Sequence, residues 1–273
     1  MHNFHFKEKY DIEDLLGIMH ILRSPGGCPW DIEQTHLSIS RNLIEEAYEV
    51  LDAIDSGDSE NLCEELGDLL LQIVFHIEIE NAGAEGESGG FSFEDVCDGV
   101  CKKLITRHPH VFGDKAASTA DEVLRNWDAI KRESKAQTYT DTLTGVPRSF
   151  PALMRAAKLQ KRAARAGFDW DSADGPMDKL YEELGELKEA VGHDDVAEEL
   201  GDLLFSAVNL SRFVGADAER ALAAACDKFI SRFALCEQMA TDRGIDMSRA
   251  TLEQLDALWD EAKLGSNRFR SVE

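Results

Sequence analysis

Apolar residues return every three or four positions along most of this chain, the spacing of helices that bury one face. Leu43, Ala47, Val50 and Ile54 make one such stripe, and Leu62, Leu66, Leu69 and Ile73 the next. Leu180, Leu184, Leu187 and Val191, then Val196, Leu200, Leu203 and Ala207, make a second pair. No convincing strand period interrupts them, and the six prolines fall in loops or at helix starts. The pattern predicts an all-α protein with helices near 11–23, 38–55, 59–82, 93–107 and 119–135, then 149–166, 176–191, 195–214, 217–243 and 251–263. Short connections at Ser56-Gly57-Asp58 and Gly192-His193-Asp194 make each striped pair antiparallel neighbours in a bundle, with Asp195 and Glu198 as a capping pair.

The two halves repeat. Leu43-Ile44-Glu45-Glu46-Ala47-Tyr48-Glu49, followed by Glu64-Glu65-Leu66-Gly67-Asp68, returns as Leu180-Tyr181-Glu182-Glu183-Leu184-Gly185-Glu186 and Glu198-Glu199-Leu200-Gly201-Asp202. Lys103 and Arg107 match Lys228 and Arg232, and Trp127 with Lys131 matches Trp259 with Lys263. Offsets of 137 (45 to 182), 134 (64 to 198), 125 (103 to 228) and 132 (127 to 259) keep one order, as duplication of a whole module would. We expect tandem helical-bundle modules at 1–135 and 148–273, joined by a turn-rich linker over 136–147.

Composition narrows the classes of partner. The 273 residues carry a net charge of -24, which disfavours general attraction to nucleic acid or to anionic membrane. The longest apolar runs, near Leu69 to Phe75, are too short to span a bilayer, and the N-terminal stretch lacks the basic-then-apolar order of a signal peptide. Six cysteines without a C-x-x-C pair read as reduced thiols, so a cytoplasmic setting is expected.

The acidic pairs carry the candidate chemistry. At about 100° per residue, Glu183 with Glu186 and Glu199 with Asp202 flank their stripes on equivalent sides, as do Glu46 with Glu49 and Glu65 with Asp68. Packing the stripes together would bring four like charges toward one another. Such crowding raises each carboxyl's proton affinity unless a cation intervenes, and one or two Mg²⁺ ions prefer oxygen donors. Solvated acidic helix faces are the plain alternative, and duplication of flank and spacing argues against it. A di-iron bundle needs Glu-x-x-His pairs, and that spacing occurs only at Glu33 and His36, outside the acidic helices.

Lys228 with Arg232 and Lys103 with Arg107 each put two cations on one helical face, able to clamp phosphate oxygens or simply to face solvent. Trp259 with Lys263, and Trp127 with Lys131, set an aromatic plane one turn from a cation; ligand contact and core packing both remain open for them. Trp30-Asp31 and Trp170-Asp171 precede the acidic helices, as anchored turns or as segments that could close over a bound base. His108-Pro109-His110 has no further ligand spacing around it.

Gly27-Cys28-Pro29-Trp30-Asp31, the paired Glu-Glu-x-x-Glu and Glu-x-x-Asp segments, Arg107-His108-Pro109-His110-Val111-Phe112, Pro151-Ala152-Leu153-Met154-Arg155-Ala156 and Gly167-Phe168-Asp169-Trp170 form an ordered series. With it the chain resembles the MazG family of nucleoside triphosphate pyrophosphohydrolases in its two-module bacterial form, over nearly its full length. The resemblance implies an all-α homodimer that uses Mg²⁺ to hydrolyse nucleoside triphosphates to monophosphates and pyrophosphate. It implies Glu183, Glu186, Glu199 and Asp202 as metal ligands, and Lys179, Lys228, Arg232, Trp259 and Lys263 as nucleotide contacts, with Glu182 the candidate general base. Glu46, Glu49, Glu65, Asp68, Lys103, Arg107, Trp127 and Lys131 repeat the set as a candidate second site. Lys179 has Asn42 as its counterpart, with Arg41 next door able to substitute, and the C-terminal copy is expected to be the main site. A nucleotide-sensing or interaction module without chemistry is the rival reading.

Overall fold

Local capping fixes where several helices begin. Asp11, Ser92 and Thr138 each accept a hydrogen bond from the backbone three residues on, and Asp14, Asp95 and Asp141 return it. The computed structural model describes residues 4–83, 90–114, 118, 119, 122, 123, 127, 130 and 138–269, and among these no strand occurs. Two compact units result, Met1–Lys131 and Arg132–Glu273.

The first unit runs α1 (Ile12–Arg23), α2 (Pro29–Glu33), α3 (Ser40–Ser56), α4 (Ser59–Gly83), α5 (Phe93–Arg107) and α6 (Pro109–Phe112). Gly57, at φ +70°, reverses the chain between α3 and α4, which pack as an antiparallel hairpin. Helix α1 packs on α4, and Met19, Ile39, Val74 and Phe75 form the core there. Polar ties flank that core. His36 meets the His76 ring nitrogen at 2.9 Å and Glu80 at 3.1 Å, and Arg23 lies over the Phe75 ring.

The second unit runs α7 (Tyr139–Thr144), α8 (Ala152–Arg165), α9 (Asp174–Ala190), α10 (Val196–Phe213), α11 (Ala218–Asp242) and α12 (Leu252–Phe269). Helices α9 and α10 form its acidic hairpin, and α8 packs on α10, where the Gln160 amide donates to the Phe205 carbonyl at 2.7 Å. A second hairpin, α11 with α12, buries Cys236, Ala240, Leu258 and Ala262.

Three features depart from the periodicity reading. Helix α7 falls inside the expected linker because Thr138 and Asp141, which read as turn residues by composition, instead make a capping box, and Val146 is buried behind it. Asp195 makes no side-chain cap, its backbone being already helical. Most importantly, the hairpins do not bury their apolar stripes. Pro176, Glu183 and Ala190, seven residues apart, are the buried positions of α9, while Leu184, Val191, Leu200 and Leu204 stay exposed. In the first hairpin Ala53 and Gln72 are buried, and Ile44, Leu51, Ile54 and Leu66 are exposed. Small and polar side chains let the two helices approach, which puts carboxylates in the seam and turns an apolar face outward. Of the helix expected over 119–135, residues 122, 123, 127 and 130 are described and helical; Lys131 lies outside the described residues.

Candidate metal centre

Helical spacing builds the C-terminal cluster. Lys179, Glu182 and Glu183 sit within one turn of α9, and Glu199 and Asp202 within one turn of the facing α10. Glu183, Glu199 and Asp202 each bring an oxygen within 4.8 Å of the others. Glu183 is only 5% exposed, yet it is charge-paired: Lys179 Nζ reaches its carboxylate at 2.7 Å and that of Glu182 at 2.8 Å. Those two bonds hold the Lys179 ammonium well above its ordinary proton affinity. Glu199 is pushed up, first by burial and then by the charges of Glu186, Asp202 and Glu183. Glu186 therefore borders the cluster electrostatically without joining the tight group of three.

The N-terminal cluster repeats the plan with different neighbours. Glu46, Glu49 and Glu65 converge within the same 4.8 Å. Burial, then the nearby charges of Asp68 and Glu49, raise Glu46; burial and then Glu49 raise Glu65. Asp68, like Glu186, acts from just outside. No lysine stands at the Lys179 position, since Asn42 occupies it. Gln72, 7% exposed, instead points its amide nitrogen at Glu46 from 3.4 Å, and its carbonyl oxygen is buried without a partner. Sequence reasoning missed Gln72; its signal was its place one turn beyond Asp68 on the same helix, where the other copy has Ser206.

Both clusters offer only carboxylate oxygens, the donor set of a hard divalent cation and not of zinc or a redox iron. Among the described residues these are the two groups with three converging ligand atoms; His108 and His110 belong to neither. A cation at either would offset the burial, and after it the mutual repulsion, that raise Glu46, Glu65 and Glu199.

The candidate phosphate and base contacts form a separate group. Lys228 and Arg232 lie on α11, Trp259 and Lys263 on α12, with the Phe229 and Trp259 rings 5.1 Å apart and Lys263 paired to Asp260 at 2.6 Å. Among the described residues α9 and α10 pack chiefly on each other and on α8, and α11 chiefly on α12. In the first unit Arg107 covers the Trp127 ring at 5.3 Å, and Lys103 is exposed one turn earlier on α5. The Trp170 turn braces the start of α9, because its indole presses on Gly175 so closely that a Cβ there would meet the ring at 2.0 Å. Asp169 of the same turn pairs with Arg212 of α10 at 2.6 Å.

Against known proteins, the model of the MazG nucleotide pyrophosphohydrolase domain matches residues 34–112 and again 173–236, taking in both acidic hairpins. The chain belongs to the MazG family. It is 45% identical to a nucleoside triphosphate pyrophosphohydrolase of Escherichia coli (strain K12) over 259 residues, covering 92% of this chain and 97% of that protein. It is 44% identical to a Thermotoga maritima protein named nucleoside triphosphate pyrophosphohydrolase/pyrophosphatase MazG, over 93% of this chain and 96% of that one. A Bacillus subtilis protein, the uncharacterized YabN, is 41% identical over 93% of this chain, which spans 52% of it. No helix among the described residues is long and apolar enough to cross a membrane.

Proposed function

We propose that the protein is a nucleoside triphosphate pyrophosphohydrolase that cleaves the anhydride between the α and β phosphates, using Mg²⁺ held mainly at Glu183, Glu186, Glu199 and Asp202. The observation that carries this is the convergence of three carboxylates, one of them 5% exposed, in a hairpin of a MazG domain. When bound, Mg²⁺ supplies charge neutralisation for the triphosphate and acidifies a coordinated water. The chain's own groups do the rest. Glu183 and Glu199 fix the geometry from the helix seam. Lys179 lies one turn from Glu183, where its ammonium can accept phosphate charge as the pyrophosphate departs. Glu182 is exposed beside the cluster and is the candidate base, with Lys179 as its present partner. Lys228, Arg232, Trp259 and Lys263 are the proposed nucleotide contacts.

Two observations support a homodimer. The first is the set of exposed apolar residues on both acidic hairpins and on α11, including Leu222, Phe229, Ile230 and Phe233. The second is Gly67 and Gly201, mid-helix glycines at matching positions whose absent Cβ would meet nothing within 4 Å in this chain. A helical glycine costs about 1 kcal/mol against alanine, so a close approach from another copy accounts for both. Gly201→Val should then shift sedimentation from dimer to monomer; an unchanged dimer rejects this packing.

The N-terminal cluster is proposed as a second metal site, with Lys103, Arg107, Trp127 and Lys131 as its candidate contacts and the modules divided near 136–147. Phosphorus NMR of a nucleoside triphosphate incubated with protein and Mg²⁺ tests the activity. Monophosphate and pyrophosphate are expected, whereas diphosphate with inorganic phosphate, or unchanged substrate, overturns the proposal.

A further inference from the structure

The two carboxylate clusters draw on the same four duplicated acids, three converging in each, and differ in what sits against them. In the C-terminal cluster a cation is built in: Lys179 Nζ lies 2.7 Å from the buried Glu183 carboxylate and 2.8 Å from Glu182. In the N-terminal cluster the equivalent side chain is the uncharged Asn42, and Gln72 donates its amide toward Glu46 at 3.4 Å. Gln72 is more than nine-tenths buried, donates toward Glu46, and keeps an unpartnered carbonyl oxygen beside an otherwise all-oxygen donor set.

We infer that Lys179 makes metal binding at the C-terminal cluster conditional on nucleotide, whereas the N-terminal cluster takes its divalent cation without one. Glu183 cannot give the same oxygen to Lys179 and to a metal at full strength, so without substrate the ammonium and the metal compete for it. A triphosphate offers Lys179 a better anion, and once the ammonium turns to phosphate, Glu183 is released to the metal. Metal and nucleotide then enter with positive coupling, and that coupling is reciprocal. The N-terminal cluster has no such ammonium among the described residues: Asn42 holds the place of the lysine, and the amide of Gln72 donates to Glu46 at 3.4 Å. Metal occupancy without turnover at the N-terminal site and metal arrival with substrate at the C-terminal site would give one chain two metal regimes.

The inference rests on reading both clusters as metal sites, and the test separates the two. Mn²⁺ binding to the full-length protein is followed by the EPR signal of free Mn²⁺, with and without a triphosphate whose α and β phosphorus atoms are joined by a methylene group. The wild-type chain should show one tight class of site without nucleotide, removed by Glu65→Gln, and a second class, removed by Glu183→Gln, that tightens roughly tenfold or more when the analogue is present. A tenfold effect is the low end of what one neighbouring cation does to a carboxylate's proton affinity. Lys179→Asn should tighten the second class by a similar factor without nucleotide and abolish its dependence on the analogue. Asn42→Lys should weaken the first class and make it depend on nucleotide. If Glu183→Gln and Glu65→Gln leave Mn²⁺ binding untouched, the metal sites themselves are wrong. If those variants lose metal but the wild-type clusters load equally without nucleotide, or neither lysine exchange moves the affinities, the sites stand and the gating by Lys179 is overturned.

Discussion

The two acidic hairpins share a backbone plan and differ in their company. In both, carboxylates from facing helices meet in the seam, with oxygens within 4.8 Å. In the C-terminal hairpin one carboxylate is compensated by Lys179; in the N-terminal hairpin the compensation is a neutral amide from Gln72. Duplication thus preserved the four acids, while the three that converge and the nearest charge both changed. The number of carboxylates is therefore a poor guide to how a site behaves, and the first cation within reach of them a better one.

The comparison breaks most visibly under truncation of one acid. Asp202→Ala should lower pyrophosphate release by roughly a thousandfold or more, since a metal's charge supplies several kcal/mol to such a transition state. Asp68→Ala, its counterpart, should leave most of the turnover in place. Equal losses would make the two copies equivalent catalysts, and the ranking of the sites would be wrong.

Metal removal is next in size. Adding divalent metal at about a hundred times its Kd should stabilise the protein by ~2.7 kcal/mol, read as a rise in melting temperature, and a chelator should reverse it. The pH sign follows from the raised carboxyls. For Glu46, Glu65 and Glu199 the metal-free fold binds protons more tightly than the unfolded chain does, so their contribution to stability is complete below the unfolded values and is lost as pH rises through the folded ones. The metal-free protein should therefore gain stability from these groups on acidification into the carboxylate range, while metal affinity falls as protons displace the ion. Melting curves with and without metal should converge as pH drops; a metal-induced shift that grows on acidification would contradict the assignment.

The smallest effect probes the turns. Trp170 is pressed against Gly175, whereas Trp30 of the first unit faces Phe75 at 6.3 Å. Gly175→Ala should cost about 1–3 kcal/mol by forcing the indole away and should change its fluorescence. A neutral substitution would mean that the turn does not brace α9.

Much of this was legible before the fold was known. The three-to-four-residue recurrence of Leu43, Ala47 and Val50 and its copies identified the long helices, and the duplicated Glu-Glu-x-x-Glu with Glu-x-x-Asp contains the carboxylates that converge, although Glu186 and Asp68 stay outside the groups of three. What periodicity could not give was which face a neighbour covers. Leu184 and Leu200 read as buried and are exposed, because Glu183 and Ala190 take the seam between α9 and α10. Gln72 was invisible for a related reason: glutamine is an ordinary helix former, and only burial beside Glu46 gives it meaning. The separation of Trp259 and Lys228 from the carboxylate hairpin is likewise a fact of packing, which spacing along the chain does not encode.

Anomalous diffraction from crystals grown with Mn²⁺ and a non-hydrolysable triphosphate tests the central claim most directly. An anomalous peak coordinated by Glu183, Glu199 and Asp202, with the triphosphate against it, is the expected result. Crystals with the nucleotide bound elsewhere and no peak between α9 and α10 would contradict it.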